Sequence, residues 1–319
     1  MLEKKLTVSS SPHLKSPVTT RSIMLDVVIA LMPALVASVM IFGVRSLLLT
    51  LCCAAACVVF EYLYALLLKK PQTVGDFSAV VTGVLLAFNL PVTLPLWMAI
   101  IGCFVAIVIV KQLFGGIGQN FVNPALVGRI VLMISFPAQM TYWVAPGSGA
   151  DAVSSATPLA VLSGAEGTMP ELAELLFGLR GGCLGETCIL ALLLGGVYLV
   201  LRKVISPVIP LCYLGTVAAL TALGGAYPLY QLLSGGLVLG AIFMATDYTT
   251  SPLTTKGRIV YAVGCGLITC LIRLFGSMTE GVSFSIILMN LVVPYLDKLF
   301  PSKPFGGKPK EKREKGAAA

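Results

Sequence analysis

Long apolar runs, broken by short polar stretches, fill residues 22–137 and again residues 183–299. A helix needs about 20 residues, at about 1.5 Å each, to cross the hydrocarbon of a bilayer. The runs predict crossings at about 22–43, 46–68, 76–90, 95–113 and 121–137. They predict five more at about 184–201, 204–223, 229–246, 258–275 and 281–298. Charges and prolines mark the stops: Arg45, then Lys69-Lys70-Pro71, then Arg202-Lys203. The third and eighth runs are irregular and similar to each other. Ser78-Ala-Val-Val-Thr-Gly-Val-Leu-Leu-Ala-Phe-Asn-Leu-Pro91 matches Leu233-Ser-Gly-Gly-Leu-Val-Leu-Gly-Ala-Ile-Phe-Met-Ala-Thr-Asp247 in its small-residue breaks and polar end. Both stand third in a group of five, and an odd number of crossings gives the second group the opposite orientation. The pattern predicts an all-α polytopic membrane protein of about ten transmembrane helices. They form two inverted five-helix repeats, with broken helices at the third and eighth spans. The expected organisation is an N-terminal tail 1–21, a first repeat 22–137, a loop 138–182, a second repeat 183–299 and a basic tail 300–319.

Composition agrees. Hydrophobic residues make up 57% of the 319 and charged residues 11%, with mean hydropathy +0.95; soluble domains carry about 25% charged residues. The first apolar run follows about twenty polar, basic residues and is long enough to span, so it reads as a retained anchor. The net charge of +8 sits at predicted membrane edges, where orientation explains it better than nucleic acid does. Twelve basic residues outside the C-terminal tail fall on the side of the termini, and three (Arg45, Arg180 and Arg273) on the other. Both termini are therefore expected in the cytoplasm and the 138–182 loop outside.

Charged groups at membrane depth are costly and need a reason. Glu61, Asp247 and Arg129 are the clearest. Asp247 sits at the broken end of the eighth span, where a cation or proton site and a partnership with Arg129 are both open readings. Asp26, Asp76, Glu186 and Asp297 lie near predicted ends, where reaching water is cheap. The nine cysteines include no Cys-x-x-Cys pair, and the single histidine, His13, is in the tail. They read as small buried hydrophobes, with Cys183 nearest to water. Gly115-Gly-Ile-Gly118 lacks the features of a nucleotide loop. Gln119, Asn120 and Asn123 beside it offer the neutral donors and acceptors that suit a cofactor ring.

Two stretches carry a family resemblance. Lys111-Gln-Leu-Phe-Gly-Gly-Ile-Gly-Gln-Asn-Phe-Val-Asn-Pro-Ala-Leu-Val-Gly-Arg129 and Phe243-Met-Ala-Thr-Asp-Tyr-Thr-Thr-Ser-Pro-Leu-Thr-Thr-Lys-Gly257 resemble the D subunits of Rnf ion-translocating electron-transport complexes. The B subunits of the sodium-pumping NADH:quinone reductases share the pattern more loosely. In that family the motif Asp-x-x-Ser/Thr-Gly/Ser-Ala-Thr is a flavin-attachment site. Here it reads Asp151-Ala-Val-Ser154-Ser155-Ala156-Thr157. The resemblance implies FMN joined to Thr157 as a phosphoester, by a separate flavin transferase that takes FMN from FAD outside the membrane. It implies a second, noncovalent flavin of riboflavin type within the helices, with Gln119, Asn120 and Asn123 as candidate ligands. Asp247 and Glu61 become candidates for an ion pathway.

The fold so implied is a ten-helix inverted repeat similar to urea and ammonium channels. The place is a bacterial inner membrane, among partner subunits A, B, C, E and G, one of them an extracytoplasmic flavoprotein that donates electrons. Electrons from reduced ferredoxin would pass through this chain and return toward NAD⁺, coupled to sodium or proton export. Two other classes remain open at this point: a channel or secondary transporter without a redox cofactor, and a cofactor-free scaffold.

Overall fold

The computed structural model describes residues 18–146, 157–165, 168–276 and 280–302. Helix is the regular structure throughout the described residues. The first half comprises α1 (Thr20–Phe42), α2 (Val44–Leu67), α3 (Ser78–Phe88), α4 (Leu96–Phe104, running on as a π-helix Val105–Gln112) and α5 (Pro124–Ser135). The second comprises α6 (Ile189–Leu201), α7 (Val208–Leu223), α8 (Pro228–Leu233), α9 (Leu237–Leu239, running on as a π-helix Gly240–Met244), α10 (Thr255–Phe275) and α11 (Val282–Leu299). Short helices Pro137–Met140, Pro158–Leu162 and Leu172–Phe177 lie between the halves.

Every predicted apolar run holds helix, but among the described residues only α1, α2, α10 and α11 are long and apolar enough on their own to cross a membrane. The others are shortened by identifiable chemistry. Asn89-Leu-Pro91 stops α3 at 11 residues, about 16 Å of rise, or half the hydrocarbon thickness. Ser234-Gly-Gly236 separates α8 from α9. Local signals set the long helices. Thr19 accepts from the Ser22 amide while the Ser22 side chain caps in return, starting α1. Gly43, at φ +77°, lets the chain reverse into α2.

The packing relates elements of equal rank. With α8 and α9 taken as the two parts of one broken third element, the first helix of each half pairs with the other, α1 on α6, and the fifth with the fifth, α5 on α11. Within each half the second element packs on the fourth and the fourth on the fifth. The α1–α6 contact depends on Gly195, where an added Cβ would come within 2.1 Å of the Ala30 carbonyl oxygen; small residues let membrane helices approach this closely. One continuous apolar core runs through both halves, with Phe88, Tyr213 and Tyr261 among its fully buried members. Met40, Leu67, Leu223 and Phe275 point outward, as suits hydrocarbon surroundings.

Two candidate sites at the ends of the broken helices

The C-terminal ends of α3 and α9 meet: Asn89 Nδ2 lies 3.7 Å from Met244 Sδ. One site lies on each side of this junction.

The first contains Thr157. A helix end leaves its last carbonyls without partners, and α3 ends inside the protein. Residues 183–185 fill the need. Gly185 N donates to Phe88 O at 2.9 Å, Leu184 N to Leu90 O at 3.1 Å, and the Cys183 thiol to Asn89 O at 3.2 Å. Only glycine fits at 185, because a Cβ there would sit 2.3 Å from Phe88 Cβ. The carbonyls freed by the break in the third span are thus consumed by the chain itself and are not offered to a ligand.

Above this cap lies a buried ionic cluster. Arg129 Nη1 donates to Asn89 Oδ1 at 2.7 Å and stands 3.3 Å from Glu186 Oε1, while Nη2 pairs with Glu280. Arg180 Nη2 donates to the Glu186 carbonyl at 2.8 Å. Arg273 donates to the carbonyls of Gln231 (2.6 Å) and Ser234 (3.1 Å). Burial pushes the Arg180 guanidinium down to about 10, which leaves it charged at neutral pH. Cys183, Glu186 and Glu280 offer ligand atoms within 4.8 Å of one another, a spacing a metal ion could use. The Arg129 guanidinium already occupies the cation's place between the two carboxylates, so the set does not fit a metal. With three guanidiniums and two carboxylates the cluster carries one excess positive charge, which suits an anion.

Thr157 borders this cluster. Its Oγ1 accepts from Ala160 N at 3.2 Å and caps the Pro158–Leu162 helix, and the residue is 7% exposed. It lines a small cleft with Arg180, Gly182, Glu186, Gly235 and Glu280. The cleft's free volume is about 10 Å³, room for one water-sized group. A phosphate oxygen fits there and a flavin ring does not. Asp151, Ser154, Ser155 and Ala156, the rest of the attachment motif, lie outside the described residues.

The second site is a cavity of about 380 Å³, mostly apolar, with Ser78, Lys111, Asn120, Asn123 and Asp247 among its polar walls. That volume and lining are typical of small-molecule sites and fit a noncovalent flavin. Asn123 Oδ1 accepts from Ala125 N (3.1 Å) and Leu126 N (3.3 Å), starting α5 with Pro124 at its first turn. Its Nδ2 donates to Met244 O at 3.4 Å, tying α5 to the end of α9. Asn120 Nδ2 donates to Val122 O at 3.0 Å, and Thr250 donates to the Asp247 carboxylate at 3.2 Å. Both π-helical stretches reach this cavity, through Lys111 and through Ile242 and Phe243. Such stretches often mark functional positions.

Several sequence expectations need correction. Gln119 is exposed and does not line the cavity; the glycines before it turn the chain outward. Glu61 is fully buried but stands one residue behind the wall, accepting from Lys111 Nζ at 2.8 Å and from Thr73. Lys111, counted as an edge cation, is buried, because the π-helix turns it inward onto Glu61 and Ser78. Arg129 pairs with Glu280 and Glu186, not with Asp247. Glu186 is buried and not at a solvent edge, and Cys183 is fully buried rather than nearest to water. Arg180 and Arg273 belong to the interior cluster. The signal that was available is local: Arg180-Gly-Gly-Cys-Leu-Gly-Glu186 places charges among glycines just before an apolar run.

The model of the NQR2, RnfD, RnfE family matches residues 7–306. The chain belongs to this family. Among its relatives, the D subunit of the Na⁺-translocating ferredoxin:NAD⁺ oxidoreductase complex of Acetobacterium woodii is 50% identical over 309 residues, covering 96% of this chain and 97% of the relative. The D subunit of the proton-translocating ferredoxin:NAD⁺ oxidoreductase complex of Clostridium ljungdahlii is 43% identical, covering 94% and 96%. The D subunit of the ion-translocating oxidoreductase complex of Stutzerimonas stutzeri is 39% identical, covering 90% and 93%. Family membership thus covers both candidate sites and the segment that joins them.

Proposed function

We propose that this chain is the membrane electron-transfer D subunit of an Rnf-type ion-translocating ferredoxin:NAD⁺ oxidoreductase, working beside subunits A, B, C, E and G. The observation that carries this reading is 50% identity across 96% of the chain to a protein of that name. In this reading the ten helical segments are ten crossings in two inverted repeats. The pairing of first with first and fifth with fifth helix supports it, since a pseudo-two-fold axis places equivalent elements together. Both termini lie in the cytoplasm and the 138–182 loop outside. With the buried Lys111, Arg180 and Arg273 set aside, the remaining exposed cations still favour that orientation.

Thr157 carries FMN as a phosphoester, placed there by a flavin transferase, and the large cavity holds a second, noncovalent flavin of riboflavin type. Flavins supply electron transfer in one- or two-electron steps. The chain's own residues supply position and surroundings. Asn120 and Asn123 present amide groups to the cavity, Asp247 a carboxylate at its edge, and apolar side chains such as Ile242 and Phe243 exclude water. A channel or transporter reading receives less support, because the cavity lining stops short of Asn89 and Arg129 on the far side of the junction.

The deciding experiment co-expresses the chain with its flavin transferase, denatures it and looks for flavin fluorescence in the gel band. The expected result is a fluorescent wild-type band and a dark Thr157→Ala band. A dark wild-type band beside an active control substrate would overturn the covalent reading. Coupling is tested separately. Asp247→Asn in the purified complex is expected to leave covalent flavin in place while lowering ion transport per electron; unchanged transport with unchanged ion dependence would remove Asp247 from the pathway.

A further inference from the structure

Each of the three cluster arginines keeps one buried nitrogen without a partner among the described residues (Nε in Arg129 and Arg273, Nη1 in Arg180), but of the three it is Arg180 that lines the cleft with Thr157. Arg129 is engaged by Glu186, Glu280 and Asn89. Arg273 is engaged by the carbonyls of Gln231 and Ser234. Arg180 makes one hydrogen bond, through Nη2, and its Nη1 is buried without a partner among the described residues, although the residue is only 5% exposed. A buried guanidinium nitrogen without an acceptor is costly, and such a group calls for an explanation. It lies in the cleft that Thr157 lines. The two carboxylates in that cleft, Glu186 and Glu280, are both paired with Arg129, and neither forms a salt bridge with Arg180 among the described residues. The cleft accepts a group of about one oxygen's size, and the cluster around it, with three guanidiniums against two carboxylates, is net positive.

We propose that Arg180 is the anchor for the phosphate diester at Thr157, its Nη1 donating to a phosphoryl oxygen. The attachment arm is thereby held against the cluster while the flavin ring lies outside the cleft. This inference rests on the reading that Thr157 carries FMN. Guanidinium–phosphate hydrogen bonds are charge-assisted and directional, so Arg180 acts as a positioning residue that fixes where the ring can reach. The same contact links the arm to the break between α8 and α9, because Gly235 forms another wall of the cleft, where an added Cβ would meet Leu159 and Arg273.

The test uses the purified complex containing wild type, Arg180→Gln or Arg180→Lys, each co-expressed with the transferase. Readouts are in-gel flavin fluorescence, the ³¹P resonance of the diester, and the anisotropy decay of the covalent flavin. In Arg180→Gln the covalent band is expected to persist, the ³¹P resonance to shift, and the docked-to-free ratio of the flavin to fall about tenfold, the equivalent of about 1.4 kcal/mol. Arg180→Lys keeps the charge but not the fork, and is expected to fall between the two. An Arg180→Gln protein with covalent flavin and unchanged resonance and anisotropy overturns the anchor and leaves the Thr157 reading standing. A wild-type band without flavin overturns both. If Arg180→Gln does not assemble, Arg180→Lys decides alone: a shifted resonance supports the anchor and an unshifted one overturns it.

Discussion

Arg129→Leu is expected to cost about 3–5 kcal/mol, because it leaves the buried Glu186 and the half-buried Glu280 without their cation. Arg129 is 2% exposed, and it faces Glu186 and Glu280 together. The substitution also strips Asn89 Oδ1 of its donor, and a buried acceptor left alone costs about 1–3 kcal/mol more. The expected outcome in detergent is a fall in thermal midpoint large enough to abolish recovery of monodisperse protein. Adding Glu186→Gln and Glu280→Gln to Arg129→Leu should recover a large part of the loss, since a neutral set no longer leaves charge unpaired. A midpoint that Arg129→Leu does not move would show that the carboxylates reach water or another cation, and the cluster as described would be wrong.

Lys111→Met is expected to have a comparable effect at the other site. Glu61 is fully buried, and Lys111 Nζ lies 2.8 Å from its carboxylate and 2.6 Å from Ser78 Oγ. Removing one partner of a buried pair costs about 3–5 kcal/mol, whereas replacing both with groups of similar shape is often near neutral. The double variant Lys111→Met with Glu61→Gln should therefore be more stable than Lys111→Met alone. Arg202 and Asp26 provide the comparison. Their pair is 3.3 Å apart but the Arg202 side chain is 58% exposed, so its loss should cost under about 1 kcal/mol. Equal losses in the two cases would mean that Glu61 and Lys111 are solvated. Because Lys111 also lines the large cavity, where a flavin is proposed to sit, the double variant should recover stability without recovering flavin retained after gel filtration.

The helical segments and the break points were legible because they are written in composition and punctuation. Pro91 and the Gly235-Gly236 pair mark the short helices directly. The string Asp151–Thr157 stands out as a contiguous pattern, and its last residue, Thr157, lies in a cleft with Arg180. The cluster that surrounds it was not legible, because Arg129, Glu186, Arg273 and Glu280 come from four separate places in the chain. Each looked ordinary in its own window. Lys111 was misplaced for a different reason: it stands at the end of the fourth apolar run, where a cation reads as a membrane-edge charge, whereas the π-helix there turns it inward onto Glu61. Gln119 was grouped with Asn120 and Asn123 because sequence neighbours of similar chemistry look alike. The positive-φ glycines at 115, 116 and 118 turn the backbone between them, and that turn separates Gln119 from the cavity.

The cap on α3 has a consequence for how the protein is made. The carbonyls of Phe88, Asn89 and Leu90 gain their donors from residues 183–185, which leave the ribosome only after α4, α5 and the whole connecting segment. Each unsatisfied carbonyl in hydrocarbon costs several kcal/mol. The third segment therefore has no stable resting place in lipid while the first half alone has been synthesised. A nascent chain ending before residue 183 is a precursor with an open helix end, and it needs the insertion machinery or water to shelter that end. The first half is thus expected to complete its fold only once the beginning of the second has been made.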